Sequence, residues 1–297
     1  MGAVDAVVVS YRSRDTLRAC VGPLCRLDGA TVTVVDNASP DDSIATVEDL
    51  PIELIRSGHN GGFAYGCNLG VEAGSAPYVL LLNPDARVDA HALATLVRVL
   101  DDEPNVAAVG PRIVGEDGRL KLTLRSFPRL RSTWSQALFL HRLAPHAPWS
   151  DEVIRDPAAY AEPCSPEWLS GACLLLRRSA LAAVGGLDER FFLYCEDIDL
   201  CRRLREAGHD LRFEPGATVT HRGGASAPWG STLPIYARSR VLYARKHYRR
   251  LAVPLEVAGV VLGEATHALV SVGRPTLARG HAAAIRAVLR PSAATGS

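Results

Sequence analysis

The sequence has no Cys-x-x-Cys pair. Its seven cysteines, an odd number, are scattered at Cys20, Cys25, Cys67, Cys164, Cys173, Cys195 and Cys201. That spacing supports neither a zinc site nor a disulfide framework and reads as reduced thiols in a cytosolic protein. No basic segment precedes the first apolar run, MGAVDAVVVSY, which argues against a secretory signal. No Gly-x-Gly-x-x-Gly follows that run, which counts against NAD or FAD. Internal repeats are absent. So is a clean apolar run of about 20 residues, the length that crosses a bilayer. The nearest stretch, Leu251–Val272, is broken by Pro254, Glu256, Glu264 and His267, and reads as lying on a membrane interface rather than spanning it.

What is present describes a globular chain: 297 residues, 47% hydrophobic and 22% charged, enough for a sizeable core. The charge is segregated. From Pro215 onward there are eleven Lys/Arg and two acids, so a basic tail follows an acidic body. Such a tail argues for an anionic partner, a membrane surface or a phosphorylated acceptor. Arg238, Arg240, Arg245, Lys246, Arg249 and Arg250 sit among Val241, Leu242, Tyr243 and Tyr248 as a basic amphipathic stretch. Little aromatic interleaving accompanies these cations, which argues against nucleic acid. The structural alternative is a helix pair that packs on another copy of the chain, a homo-oligomer.

Apolar periodicity predicts strands over Val4–Val9, Val32–Asp36, Ile52–Arg56, Tyr78–Asn83 and Val106–Gly110. Helices are expected between them, over Ser13–Leu27, Asp41–Leu50, Ala64–Gly74 and Asp89–Glu103. The strands are nearly continuous Val/Ile/Leu, the composition of a parallel sheet covered on both faces. A hairpin is expected around Glu116-Asp117-Gly118, a long loop over 143–168, a buried strand over Trp168–Arg177, and an acidic helix ending at Gly208. Residues 233–290 read as helices. The fold class is α/β with a helical C-terminal extension: an α/β domain over 1–226 and a basic helical extension over 227–297.

Ligands of open α/β sheets bind beyond the carboxyl ends of the strands. Three such ends, Ser10-Tyr11-Arg12, Asp36-Asn37-Ala38-Ser39-Pro40-Asp41 and Asn83-Pro84-Asp85, are expected to line one crevice. A carboxylate at Asp36 can accept from a pyrimidine N3–H or a ribose hydroxyl; the plainer reading makes it a turn cap. In His59–Asn68 the paired glycines before a helix let backbone N–H groups approach a phosphate. Asp85 facing a diphosphate meets what Mg²⁺ or Mn²⁺ requires, one or two protein carboxylates with phosphate and water completing the shell. Glu196 and Asp199 share a helix face while Asp197 points elsewhere, although acids in a first turn are also favoured by the helix dipole alone. His221 closes a later strand, where a lone histidine is ordinarily structural.

The order and spacing of these pieces resemble glycosyltransferase family 2, inverting enzymes with the glycosyltransferase-A fold, a Rossmann-like and mostly parallel sheet. The resemblance rests on VVVSYRS (Val7–Ser13), VVDNASPDDS (Val34–Ser43), HNGGFAYGCN (His59–Asn68), LLLNPDAR (Leu80–Arg87), WLSGACLLLRRSAL (Trp168–Leu181), GGLDERFFLYCEDIDLCRRL (Gly185–Leu204) and FEPGATVTHRGGAS (Phe213–Ser226). Asn83-Pro84-Asp85 stands where Asp-x-Asp is commoner, as in a rhamnosyltransferase-like branch. The resemblance implies that donor binding falls to Ser10, Tyr11, Arg12, Asp36, Asn60, Gly62, Asn68, Asn83 and Asp85. It implies a metal, Mg²⁺ or Mn²⁺, on Asp85 and His221, a catalytic base at Asp197, and acceptor or supporting roles for Trp168, Gly171 and Glu196. The implied donor is a nucleotide-diphosphate sugar, dTDP-rhamnose. The implied acceptor is a polyprenyl-diphosphate-linked GlcNAc or another glycan, at the inner face of the cell membrane.

Overall fold

The computed structural model describes residues 3–223 and 229–290. The strands are β1 Val4–Ser10, β2 Ala30–Asp36, β3 Glu53–Arg56, β4 Tyr78–Leu82, β5 Ala86–Arg87, β6 Val106–Val114, β7 Cys173–Arg177 and β8 Asp210–His221. The helices are α1 Leu17–Leu24, α2 Phe63–Ala73, α3 Ala90–Asp102, α4 Leu130–Ala137, α5 Leu140–Leu143, α6 Arg178–Ala183, α7 Glu196–Glu206, α8 Trp229–His247, α9 Val253–Val270 and α10 Pro275–Leu289. Of the described residues, those within Met1–Phe127, Val153–Phe192 and Glu196–Ser226 form one compact unit. Those within Pro128–Glu152, Leu193–Cys195 and Ala227–Ser297 form a second. The domain boundary expected at 226/227 lies outside the described residues.

The first unit is an eight-stranded sheet in the order β3-β2-β1-β4-β7-β6-β8-β5. Strands β3, β2, β1 and β4 are mutually parallel, β7 runs antiparallel to both β4 and β6, and β8 returns parallel to β6. The register places Ser10 beside Asp36, Leu82 beside Cys173 and Ala86 beside His221, so these strand ends share one edge. β1 and β4 are buried along their whole length, as continuous Val and Leu require when helices cover both faces. Each fully buried Val or Leu contributes roughly 1.5–3 kcal/mol. On α3, Leu93, Leu96, Val97 and Leu100 recur at helical spacing and are buried, and Asp89 caps the helix by accepting from the Ala92 N–H at 2.8 Å.

Three expected elements differ. The buried strand expected over Trp168–Arg177 begins only at Cys173, because the Gly171 N–H and the Ala172 carbonyl turn to Asp197 and Asn83. The helix expected over Asp41–Leu50 contracts to one 3₁₀ turn, Ile44–Thr46. Asp41 accepts from the hydroxyls of Ser39 and Ser43 and from the Ser43 N–H, so short polar side chains compete for the backbone groups a helix would use. The hairpin at 112–124 reduces to one bridge, Val114 to Leu120, closed by the Gly118 N–H on the Gly115 carbonyl.

The second unit is helical. Leu233, Ala237, Val260 and Ala284 form its apolar centre. Beside α8 lies a buried charge cluster: Arg240 donates to both oxygens of Glu152 at 2.7 and 2.8 Å, to Thr133 at 2.9 Å and to Glu256 at 3.1 Å. Fork geometry and full hydrogen bonding are what make burial of such charges tolerable.

Candidate active site

The chain leaving β1 and the chain leaving β2 are tied together. Arg12, at φ +52, donates its N–H to the Ser39 hydroxyl at 2.7 Å, and the Ser39 N–H donates to Asp36 Oδ1 at 3.0 Å. Asp36 stays half-buried at the strand end, with a second carboxylate oxygen left for a ligand. Ser10 is fully buried, which sets it behind the crevice wall rather than against a donor, and its hydroxyl has no partner among the described residues. Tyr11 is half-buried with the Arg12 guanidinium 5.6 Å from its ring.

The glycine turn works differently from the expected phosphate cradle. Gly61 N–H donates to Asn37 Oδ1 at 3.2 Å, Gly62 N–H to Asn60 Oδ1 at 3.1 Å, and Phe63 N–H to the Phe192 carbonyl at 2.7 Å. These three N–H groups are spent inside the protein. Gly62 sits at φ 93 and ψ 178, a conformation that is essentially glycine's alone, and a Cβ there would lie 2.2 Å from the Phe192 carbonyl oxygen. Gly62 and Asn60 therefore let the 192 backbone close onto α2. Gly62→Ala is expected to lose roughly 1–3 kcal/mol for its backbone and a further 1–3 for the collision. Gly58→Ala, at φ +76 with nothing within 4 Å, should lose only the first part. Urea unfolding of both variants separates the two contributions.

Asn68 is likewise placed away from the expected donor role. Its amide donates to the Leu187 carbonyl at 2.9 Å and to Glu189 at 2.8 Å, and its oxygen accepts from the Leu187 N–H at 3.0 Å. It pins the segment that leads into Glu196. Asn37, expected to line the crevice with the rest of its turn, is instead 2% exposed and donates to both Asn60 Oδ1 and the Gly62 carbonyl at 3.0 Å. Residues alternate across a strand end, so a crevice-facing Asp36 sends its neighbour to the opposite side. That alternation was the available signal.

At the end of β4, Asp85 Oδ1 lies 3.1 Å from His221 Nε2, and Oδ2 accepts from the Gly223 N–H at 2.8 Å. Asn83 Nδ2 is 3.4 Å from the same imidazole nitrogen. Burial alone would push Asp85 up, but the His221 hydrogen bond and charge, with the Gly223 N–H, hold it below the usual carboxylate range. Among the described residues no three His, Cys, Asp or Glu side chains gather to hold a metal by themselves. The carboxylate and imidazole fit a cation whose other ligands are phosphate and water oxygens.

Across this edge, the Gly171 N–H donates to Asp197 Oδ2 at 2.9 Å, and the neighbouring Ala172 carbonyl accepts from the Asn83 N–H at 3.0 Å. A short run of contacts thus links Asp197 to the Asn83–Asp85 turn. Asp197 is half-buried, whereas Glu196 is 5% exposed and its Oε2 has no partner among the described residues. Burial, and then the adjacent Asp197 charge, drive Glu196 well above the usual range. Asp197 is raised by burial but opposed by the N–H groups of Gly171 and Ile198 and by Arg125. Of the pair, Glu196 is pushed further toward its neutral form, while the N–H groups and Arg125 favour the charge on Asp197. Such burial takes Glu196 out of reach of an acceptor. Trp168 is 7% exposed and spends its indole N–H on the Ser126 carbonyl at 3.1 Å, so it too supports from behind.

Fold and edge together define an α/β protein of the glycosyltransferase-A type. Residues 5–184 match glycosyl transferase family 2, and the chain belongs to that family. Asp197 and His221 lie beyond the matched stretch. Over 205 residues the chain is 35% identical to the N-acetylglucosaminyl-diphospho-decaprenol L-rhamnosyltransferase of Mycobacterium tuberculosis, covering 64% of this chain and 66% of that one. It is 31% identical over 242 residues to the pre-mycofactocin glycosyltransferase of the same species, covering 80% of this chain and 47% of that one. The matched stretches thus span less than two thirds of these relatives. The mannosyltransferase PcManGT from Pyrobaculum calidifontis, solved with GDP-Man and Mn²⁺, shares the fold at a TM-score of 0.56 and 17% identity, covering 97% of this chain and 86% of that one.

Proposed function

We propose that the protein is an inverting glycosyltransferase that moves L-rhamnose from dTDP-rhamnose to a hydroxyl of a lipid-linked acceptor, a polyprenyl-diphosphate-linked GlcNAc, in cell-wall polysaccharide assembly. The observation that carries this reading is the half-buried carboxylate of Asp197, fixed by the Gly171 N–H and joined through Ala172 to the Asn83–Asp85 turn. Asp36 reads the base through its remaining oxygen, and Tyr11 and Arg12 line the donor beside it. Asp85 and His221 would hold Mg²⁺ or Mn²⁺, which when bound supplies positive charge against the diphosphate. Asp197 takes the acceptor hydroxyl proton as that oxygen bonds the anomeric carbon and the bond to the diphosphate breaks. Glu196, pushed toward its neutral form, keeps a second negative charge out of the attack path. The sugar and acceptor draw support from the name of the mycobacterial rhamnosyltransferase relative.

Hydrolysis of a donor panel by the full chain with Mn²⁺ tests the donor. Turnover of dTDP-rhamnose is expected to exceed that of UDP-GlcNAc and GDP-mannose by about tenfold or more, the factor given by roughly 1.4 kcal/mol of discrimination. Preference for a UDP- or GDP-sugar would reassign the donor within the family.

A further inference from the structure

In the second unit one helix is turned inside out. The two acids of α9 face inward: Glu256 is fully buried against Arg240, and Glu264 pairs with His281 at 2.7 Å. Its outward side carries Leu255, Ala258, Leu262 and Leu269, spaced at helical intervals, and continues into Leu251 before the helix and Val272 after it. Leu251 is 89% exposed, Leu255 52%, Leu269 73% and Val272 74%. A surface helix in water ordinarily does the reverse, sending its acids out and its leucines in. An apolar outer face with ionisable groups turned toward the protein is what contact with hydrocarbon selects.

We infer that this face of the second unit docks in the plane of an anionic lipid bilayer. Charge decides between lipid and a second copy of the chain. The segments of this unit contain thirteen Lys/Arg and four Asp/Glu. None of those acids, Asp151, Glu152, Glu256 and Glu264, is exposed, while Arg249 and Arg250 at one end of the stripe and Arg274 and Arg279 at the other are. A second copy would bring like charges together around the apolar contact; anionic headgroups complement them. Length and composition would let Arg250–Val270 cross a membrane. However, α9 packs against α4, α8 and α10, and spanning would drag Arg240 and its partners into hydrocarbon. Lying in the interface leaves the buried pairs intact and immerses only the stripe.

The inference stands apart from the donor and acceptor assignments, and its test contains no nucleotide sugar, so either reading can fail alone. The full chain is sedimented with phosphatidylcholine vesicles, plain or containing about 30% phosphatidylglycerol. Binding is expected to the anionic vesicles and to weaken as salt rises. The exposed double variant Leu255→Gln/Leu269→Gln, checked for folding by its thermal melt, should bind about tenfold more weakly or worse. Arg249→Gln/Arg250→Gln should bind less tightly and with a shallower salt dependence. The inference is overturned if the wild type ignores anionic vesicles, or if Leu255→Gln/Leu269→Gln binds like the wild type. It is overturned equally by a stable dimer in light scattering that this variant dissolves, or by binding that survives alkaline carbonate extraction as a spanning helix does.

Discussion

Asp197→Asn is expected to lower turnover by about 10²–10⁴-fold, the range a positioned general base supplies, while leaving nucleotide affinity nearly unchanged. Amide replaces carboxylate at equal size, so the Gly171 N–H retains an oxygen to donate to while the Ile198 N–H loses its acceptor, and a thermal melt of the variant checks that the fold survives. What is lost is the basic lone pair. Burial raises Asp197, so in the wild type the rate should fall as pH drops through a value above the ordinary aspartate range. The residual rate of the variant should lack that acid limb. Glu196→Gln provides the contrast: burial and the Asp197 charge push Glu196 toward its neutral form, so the amide should retain most turnover and the same acid limb. Stopped assays across pH with all three proteins decide the matter. Near-normal turnover in Asp197→Asn would mean that another group takes the proton.

How far the sequence carries toward this site depends on the kind of information each residue encodes. Continuous apolar runs fixed β1, β2 and β4 within a residue or two, because burial on both faces leaves little freedom of composition. The strand ends followed from the runs, whereas the Asp85–His221 encounter, 3.1 Å apart across 136 positions of chain, was implied only by the family resemblance. Partners were harder to read than positions. The glycine pair looked like a phosphate turn, but its N–H groups belong to Asn37, Asn60 and the Phe192 carbonyl. A backbone oxygen 129 residues away leaves no local mark in composition. The same holds for Asn68, whose amide meets Leu187 and Glu189 more than a hundred residues on. Asp41–Leu50 has helical apolar spacing, but its leading Asp and Ser groups bond one another first. Periodicity reports which face is buried. It does not report what a polar group on that face will meet.

Asp85→Ala should remove the Mn²⁺ dependence of nucleotide binding. Calorimetry of dTDP with the wild type is expected to give tighter binding with Mn²⁺ than without it, and the variant should give one weak affinity in both conditions. An effect of several kcal/mol is the scale of a divalent charge on a phosphoryl oxygen. A second readout needs no metal. Burial pushes Asp85 up, but His221 and the Gly223 N–H hold its folded value below the ordinary one. A carboxylate depressed by folding contributes stability that is fully present above its unfolded pKa, near 3.9, and is lost as pH falls through the lower folded value. Melting curves of wild type and Asp85→Ala should therefore differ at neutral pH and draw together as the medium is acidified past that window. The two measurements separate two roles. Convergent melts with an unchanged Mn²⁺ effect would leave Asp85 as a strand-end anchor for His221 and take it out of the cation site. Loss of the Mn²⁺ effect in Asp85→Ala, repeated in His221→Ala, would assign the cation to the contact between β5 and β8, because that register brings the two side chains together.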